Sequence, residues 1–266
     1  MNAQSANCRG PSDQASHHPG LSRSLLIICA HGSAYHPAAN EHVLSIAETL
    51  NQSGTFAAVQ TIFHAGQTTD WSASGLDSDV FDHILIVPYM MSDGFLAKQM
   101  INQTKQTIEK AGITKPVIGT SSVGTHPAIA DVALKVATEA ADAHQLSPSS
   151  LSLVIVAHGS QNAPQSRMAA EVHLQAIRNA ECFNETLLGF IEEPPFVADV
   201  LKSLKEPAVI VGLFAAPGGH AIVDIAEAMQ EVKKDNLINA GPIGLHMDMH
   251  DLIRQRAIQA MSVATA

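Results

Sequence analysis

Short apolar runs alternate with longer amphipathic stretches along most of this chain. Continuous apolar runs are typical of strands buried on both faces of a parallel sheet, and apolar residues repeating every three or four positions are typical of the helices that cover it. The runs predict strands over 25–30, 59–63, 83–88, 116–119, 151–157, 186–191 and 207–213. The stretches between them predict helices over 38–52, 95–112, 127–143, 163–180, 195–204 and 219–233, with a last helix beginning near 247.

The second half of this pattern repeats the landmarks of the first. Ala-His-Gly-Ser ends an apolar run at 30–33 and again at 157–160. In each half a later strand leads to a glycine and then a helix, and a Gly-x-His turn follows. The paired positions, in chain order, are His31 with His158, Gly94 with Gly218, and His126 with His246. Two copies indicate a duplicated domain, because a solenoid needs about three repeats or more.

This organisation predicts an α/β fold of two tandem, doubly wound parallel-sheet domains with helices on both faces. We expect residues 1–22 to be a disordered polar extension, 23–146 the first unit and 147–266 the second, with 64–80 irregular. The segment 145–150 is rich in serine and proline and is the predicted linker.

Composition narrows the possible partners and the compartment. The net charge of −10 argues against a nucleic-acid partner, which needs a basic face. No run reaches the roughly 18 apolar residues of a membrane helix, and the amino-terminal segment lacks the apolar core of a secretion signal. The three cysteines have no CxxC spacing, which predicts neither a disulfide framework nor a cysteine-only zinc site. A cytoplasmic protein, monomeric or homodimeric, is expected.

The halves differ where chemistry is expected. Gly218-Gly219-His220 in the second half corresponds to Gly94-Phe95-Leu96 in the first. Glu192 and Glu193, which follow an apolar run, align with Phe63 and His64. The carboxyl ends of parallel strands meet at one edge of the sheet, so His158, His220 and a glutamate can converge there.

Two imidazoles and a carboxylate form a typical ligand set for a divalent transition metal. Each feature alone also has a structural interpretation: a packed strand-end histidine, a tight glycine turn, or a solvated glutamate pair. Their combination at equivalent strand ends favours a metal site in the second half.

The Ala-His-Gly-Ser, Phe-Ile-Glu, Gly-Gly-His-Ala and Gly-x-His motifs together resemble the sirohydrochlorin chelatases of the CbiX/SirB type, within the class II chelatases. The resemblance covers nearly all of the chain beyond residue 23. It implies a lyase that inserts Co²⁺ or Fe²⁺ into a tetrapyrrole without ATP, most simply sirohydrochlorin, in cobalamin or siroheme synthesis. The metal and the tetrapyrrole would be substrates, with no permanent cofactor.

The resemblance also implies site residues. His158 and His220 would bind the incoming metal and take up pyrrole protons, with Glu192, or else Glu193, as the acidic partner. Substrate contacts are expected from Ser160, Arg167, Gly218, Gly219, His31 and His246. The arginine that often follows His-Gly-Ser in this family is absent, since Ala34 and Gln161 stand there, so Arg167 is the candidate for that charge.

Other functions predict different sequence features or a different outcome. A carrier with the same fold would bind metal or tetrapyrrole without turnover. A histidine phosphatase would have an arginine before the histidine, where Ala30 and Ala157 stand. A dinucleotide-binding protein would show GxGxxG after a strand, and this sequence has none.

Overall fold

The computed structural model describes residues 19–64, 78–161, 163–205 and 207–264. Within them the strands are β1 (Ser24–Ala30), β2 (Ala58–Phe63), β3 (His83–Tyr89), β4 (Val117–Gly119), β5 (Ser152–Ala157), β6 (Glu185–Phe190), β7 (Ala208–Gly212) and β8 (Leu237–Pro242). The α-helices are α1 (Pro37–Gln52), α2 (Phe95–Lys110), α3 (Ile129–Ala143), α4 (Gln165–Asn179), α5 (Val197–Ser203), α6 (Ile225–Val232) and α7 (Met249–Ala264). The predicted strands and helices are present, mostly with ends shifted by one to a few residues; β8 was not among the strands assigned from the apolar runs.

The strands form two four-stranded sheets with the orders β2-β1-β3-β4 and β6-β5-β7-β8. All the pairings are parallel, and Ala30 aligns with Phe63 as Ala157 aligns with Phe190. From β5 the chain runs to β6 on one side and then returns to β7 on the other side of β5, and β1, β2 and β3 are arranged in the same way. A crevice therefore lies between the carboxyl ends of β5 and β7. The fold class predicted from the sequence, tandem doubly wound sheets, is confirmed.

Aliphatic side chains on both faces of the central strands make the core. Every residue of β1 and of β5 is buried. In the second sheet, α5 and α6 cover one face, where Ala221 and Ile225 pack against Ile210. Because Ala221 is anchored in this core, the segment just before α6 has a fixed position at the sheet edge.

The compact units differ from the sequence repeats by the exchange of two helices. Helix α3 lies in the unit of the second sheet, and α7 beyond Met249 lies in the unit of the first. One unit contains Pro127–Met249, and the other contains the described residues of Gln14–His126 and His250–Ala266. Helix α3 accordingly packs on β7, β8 and α4 rather than completing the first sheet's unit. The sequence repeats, with their predicted linker at 145–150, and the compact units are therefore offset by one helix. An amphipathic pattern shows that a helix covers a sheet, and it does not say which sheet.

Some expectations fall outside the described residues, namely those for 1–18 of the extension and for 65–77 of the irregular segment. Pro19–Arg23 forms a 3-10 helix. None of the described helices combines the length and the apolar character needed to cross a membrane.

Two of the three cysteines, Cys29 and Cys182, lie among the described residues. Cys29 is a free thiol inside β1, and burial raises its pKa to about 11, so it stays protonated and is unsuited to bind metal. Cys182 is also buried, and its Sγ lies 3.5 Å from the Ala180 carbonyl oxygen.

Candidate metal and active site

Three side chains predicted from the sequence meet at the carboxyl edge of the second sheet. His158 follows β5 directly, Glu192 lies just beyond β6, and His220 lies after β7. One ligand atom from each lies within 4.8 Å of the other two. Glu192 and His220 are exposed, and His158 is partly buried. The two imidazole rings have centroids 4.4 Å apart and stand nearly perpendicular, at 80°. This spacing allows one ion to be bound by both rings and the carboxylate.

Backbone pairing beyond the strands places Glu192 beside His158. The amide of Ile191 donates to the Ala157 carbonyl at 3.1 Å, and the amide of Glu192 donates to the His158 carbonyl at 2.9 Å. In the first half the amide of His64 donates to the Ala30 carbonyl at 3.0 Å. His64 is therefore the structural counterpart of Ile191, one position before that of Glu192.

That register corrects the sequence alignment of the two halves by one residue. The sequence alignment matches Ile62 with Ile191. In the structure Ala30 pairs with Phe63 as Ala157 pairs with Phe190, so Phe63 is the counterpart of Phe190. Only hydrogen-bond register distinguishes these alignments, because both give similar apolar patterns.

Hydrogen bonds at Nδ1 leave the Nε2 atom of each imidazole as the metal-binding atom. His158 Nδ1 lies 2.8 Å from the Gly159 carbonyl oxygen. A carbonyl only accepts, so Nδ1 carries the proton and Nε2 carries the lone pair. His220 Nδ1 lies 2.6 Å from Asp224 Oδ2, and a carboxylate fixes the same tautomer.

The structure distinguishes the two glutamates. Glu193 points away from the histidines: its Oε1 accepts from the Ser160 amide at 2.9 Å and its Oε2 from Arg167 Nε at 3.0 Å. Its side chain is only 13% exposed. Burial alone raises the pKa of Glu193, but the Ser160 amide and the Arg167 guanidinium outweigh it and hold the pKa below its usual value. Glu192 is thus the carboxylate that faces the two imidazoles.

Arg167 and Ser160, predicted as substrate contacts, are occupied within the protein. The Arg167 guanidinium pairs with Glu193 and lies 4.3 Å from the centroid of the Phe190 ring. The Ser160 hydroxyl accepts from the Ala163 amide at 3.1 Å. These contacts brace the loop that carries Glu192.

The glycines predicted at the site shape the segment that leads to His220. The Gly218 carbonyl accepts from the amides of Ala221 and Ile222, both at 3.1 Å, and residues His220–Asp224 form a π-helical turn before α6. The predicted single helix over 219–233 is therefore a π-turn followed by an α-helix. A Cβ at Gly218 would meet nothing within 4 Å, so space is open beside His220.

His246 and His31 are not members of this group of ligands. His246 is 12% exposed, accepts from the Asp248 amide through Nδ1 at 3.2 Å, and has Nε2 3.5 Å from Glu139. His31 belongs to the other compact unit, where its Nδ1 contacts the Gly32 carbonyl at 2.7 Å and its ring centroid lies 5.9 Å from that of His64. Within the residues the structure describes, no third histidine, cysteine or carboxylate joins His31 and His64 in a metal-binding group.

Two supporting residues escaped the sequence analysis. Nothing in the sequence marked Asp224 as the partner of His220 beyond its four-residue spacing. Gly244 was noted only as part of a Gly-x-His turn, yet a Cβ there would overlap the backbone of Ala215, in the segment leading to His220. A close approach of two backbones has no signature in a single sequence except the glycine itself.

The fold and the site define a duplicated α/β protein that can bind a divalent transition metal at the open edge of one of its sheets. The chain belongs to the CbiX family, whose model matches residues 25–140 and 152–260. The two matched segments correspond to the two repeats.

Individual relatives agree with this assignment. The chain is 26% identical over 222 residues to a protein from Halobacterium salinarum named probable sirohydrochlorin cobaltochelatase, covering 76% of this chain and 75% of that one. It shares its fold with SirB from Bacillus subtilis with Fe³⁺, with a TM-score of 0.73, 14% identity and coverage of 90% and 95% of the two chains. It also shares its fold with CbiX, described as the terminal enzyme for biosynthesis of siroheme in denitrifying bacteria, with a TM-score of 0.66, 20% identity and coverage of 90% and 99%.

Proposed function

We propose that this chain is a sirohydrochlorin chelatase, a lyase that inserts Co²⁺ or Fe²⁺ into the tetrapyrrole without ATP, for cobalamin or siroheme synthesis. The observation that carries the proposal is the convergence of His158, Glu192 and His220, with one ligand atom of each within 4.8 Å of the others. Membership of the CbiX family and the name of the Halobacterium relative support the choice of reaction and of substrate.

The ligand set suits a metal that must be released. Two neutral imidazoles and one carboxylate leave coordination positions open, unlike a closed thiolate cage. Because Glu192 and His220 are exposed, a planar macrocycle can approach the ion from the solvent. Pyrrole nitrogens then replace the protein ligands one at a time.

The same groups can accept the protons that the macrocycle loses. Insertion of a divalent ion releases two N–H protons, each N–H bond leaving its electron pair on the nitrogen that binds the metal. As the ion moves to the macrocycle, Nε2 of His158, Nε2 of His220 and the Glu192 carboxylate become free to act as bases. Two protons replace one doubly charged ion, so the net charge of the site is unchanged and no large electrostatic penalty arises.

A chelation assay with sirohydrochlorin and Co²⁺ or Fe²⁺ tests the proposal. We expect His158→Ala, His220→Ala and Glu192→Gln each to lower the rate by about 100-fold or more, since each removes one of three ligands. His31→Ala is the comparison variant and should have a smaller effect, because His31 has the same motif and the same Nδ1 contact but is not one of the three ligands.

The outcomes separate the competing functions. A loss confined to His31→Ala would move the site to the first half. Binding of metal or tetrapyrrole by the wild-type protein with no turnover would identify a carrier instead of an enzyme.

A further inference from the structure

We propose that Asp224 is a positioning residue for His220, and that the two residues work as a pair which the first half of the chain lacks. The proposal deepens the function proposed above and rests on the metal-binding role of His220. It assigns a function to a carboxylate that lies outside the group of metal ligands.

The contact between the two side chains is short and directional. Asp224 Oδ2 lies 2.6 Å from His220 Nδ1, and the side chains are 33% and 47% exposed. Four residues apart on one helical turn, they lie on the same face, so the contact needs no other element of the fold. The carboxylate holds the proton on Nδ1 and directs Nε2, the opposite ring atom, toward His158 and Glu192.

The two metal-binding imidazoles are held in different ways. His158 is oriented by the backbone carbonyl of Gly159, which belongs to its own rigid strand-end turn. Within the described part of the chain, Asp224 is the side chain that hydrogen-bonds the His220 ring, and His220 stands on a π-helical turn instead of a strand end. His220 therefore depends on a side chain for an orientation that His158 receives from the backbone.

The internal repeat supplies an independent comparison. Leu96 occupies the position of His220 in the first half, and Met100, four residues later, occupies the position of Asp224. Met100 is 2% exposed, and Leu96 packs against the same core cluster. The half that lacks the metal-binding histidine also lacks its carboxylate, and both positions have become apolar. This joint replacement is what a functional pair predicts.

Orienting partners of metal-binding histidines fix the ring, its tautomer and its basicity as a ligand, and their loss typically weakens metal binding by 10–100-fold. Asp224 is not within the group of three ligand atoms, so its effect is exerted through His220. We expect the loss to appear in metal affinity and in kcat, with the KM for the tetrapyrrole little changed.

The test uses the full-length protein and Co²⁺ alone as the probe, followed by steady-state chelation. Asp224→Ala should weaken Co²⁺ binding by about 10–100-fold, alter the visible absorption of the bound ion and lower kcat. Asp224→Asn keeps an oxygen that accepts from Nδ1 and should recover part of the affinity. Glu227→Ala is the matched control, because it removes an exposed carboxylate from the adjoining helix α6 and should leave binding and turnover unchanged.

Several results would overturn the proposal. One is wild-type Co²⁺ affinity in Asp224→Ala, and another is an equal loss in Glu227→Ala. A rise in KM alone would make Asp224 a substrate contact. If Asp224→Ala fails to fold, the Co²⁺ affinity and spectrum of Asp224→Asn are compared with those of the wild-type protein. Identical values would then overturn the proposal. Absence of chelation by the wild-type protein would refute the proposed function, while the Co²⁺ binding comparison would still decide the role of Asp224.

Discussion

Replacing Gly159 by alanine should damage both the stability and the metal site, for reasons that can be separated. Gly159 has φ of +72°, and a Cβ there would lie 2.8 Å from Glu193 Cγ and 2.9 Å from Glu193 Oε1. The new methyl group must push the Glu193 side chain away from the Ser160 amide and from Arg167. Because Glu192 is the preceding residue, its carboxylate should shift as well.

The magnitude follows from two contributions. A left-handed backbone conformation costs an alanine about 1–2 kcal/mol. Disrupting the charge-assisted hydrogen bond between the Ser160 amide and Glu193 costs about 1.5–3 kcal/mol more. Gly112 isolates the first contribution, because its φ is +73° and a Cβ there meets nothing within 4 Å.

Urea denaturation and Co²⁺ titration of Gly159→Ala and Gly112→Ala measure the difference. We expect Gly159→Ala to lose about 2 kcal/mol more free energy of unfolding than Gly112→Ala, and to bind Co²⁺ more weakly. Gly112→Ala should bind Co²⁺ like the wild-type protein. Equal losses of stability together with equal Co²⁺ affinity would show that Glu193 does not brace the site.

Three further outcomes are expected. The pKa of Glu193 is held below its usual value, so its carboxylate stabilises the fold above about pH 4.5, and this contribution fades as the pH falls through the lowered folded pKa. In urea titrations at pH 7, Glu193→Gln should have a lower free energy of unfolding than the wild-type protein, and the difference should be much smaller at pH 3. Burial, with the charge of His42 nearby, lowers the pKa of His250, so the unfolded chain takes up a proton first and stability should fall below about pH 6.5; a His250→Gln variant with an unchanged slope in that range would contradict this. Gly244→Ala and Gly124→Ala both create backbone overlaps, but only Gly244 abuts the segment leading to His220, so Co²⁺ affinity measured on folded protein should drop in the first variant alone.

The fold was largely predictable because its central strands are continuous apolar runs. β1 and β5 are buried along their whole length, which leaves a strong signal in sequence. The exchange of α3 and α7 was not predictable, since each helix presents an apolar face that would suit either sheet. Periodicity records burial and carries no information about the partner.

The site was predictable as far as strand ends determine it. His158 and His220 follow central strands, so the topology alone brings them to one edge. The choice between Glu192 and Glu193 required the ladder beyond β6, where a one-residue step reverses the direction of a side chain. The ion pair between Arg167 and Glu193 was not predictable, because a sequence shows a charge without showing the carboxylate that lies beside it.

Because α3 and α7 are exchanged between the units, a single sequence repeat is not a complete folding unit. A fragment cut at the serine-rich segment and running from 147 to the end would contain every metal-binding side chain but would lack α3, leaving one face of β7 and β8 without the helix that covers it. The piece that keeps this cover runs from Pro127 to Met249 and crosses the repeat boundary. Sequence repeats and folding units are therefore offset in this chain, and a present-day half excised at the repeat boundary would be missing part of its own core.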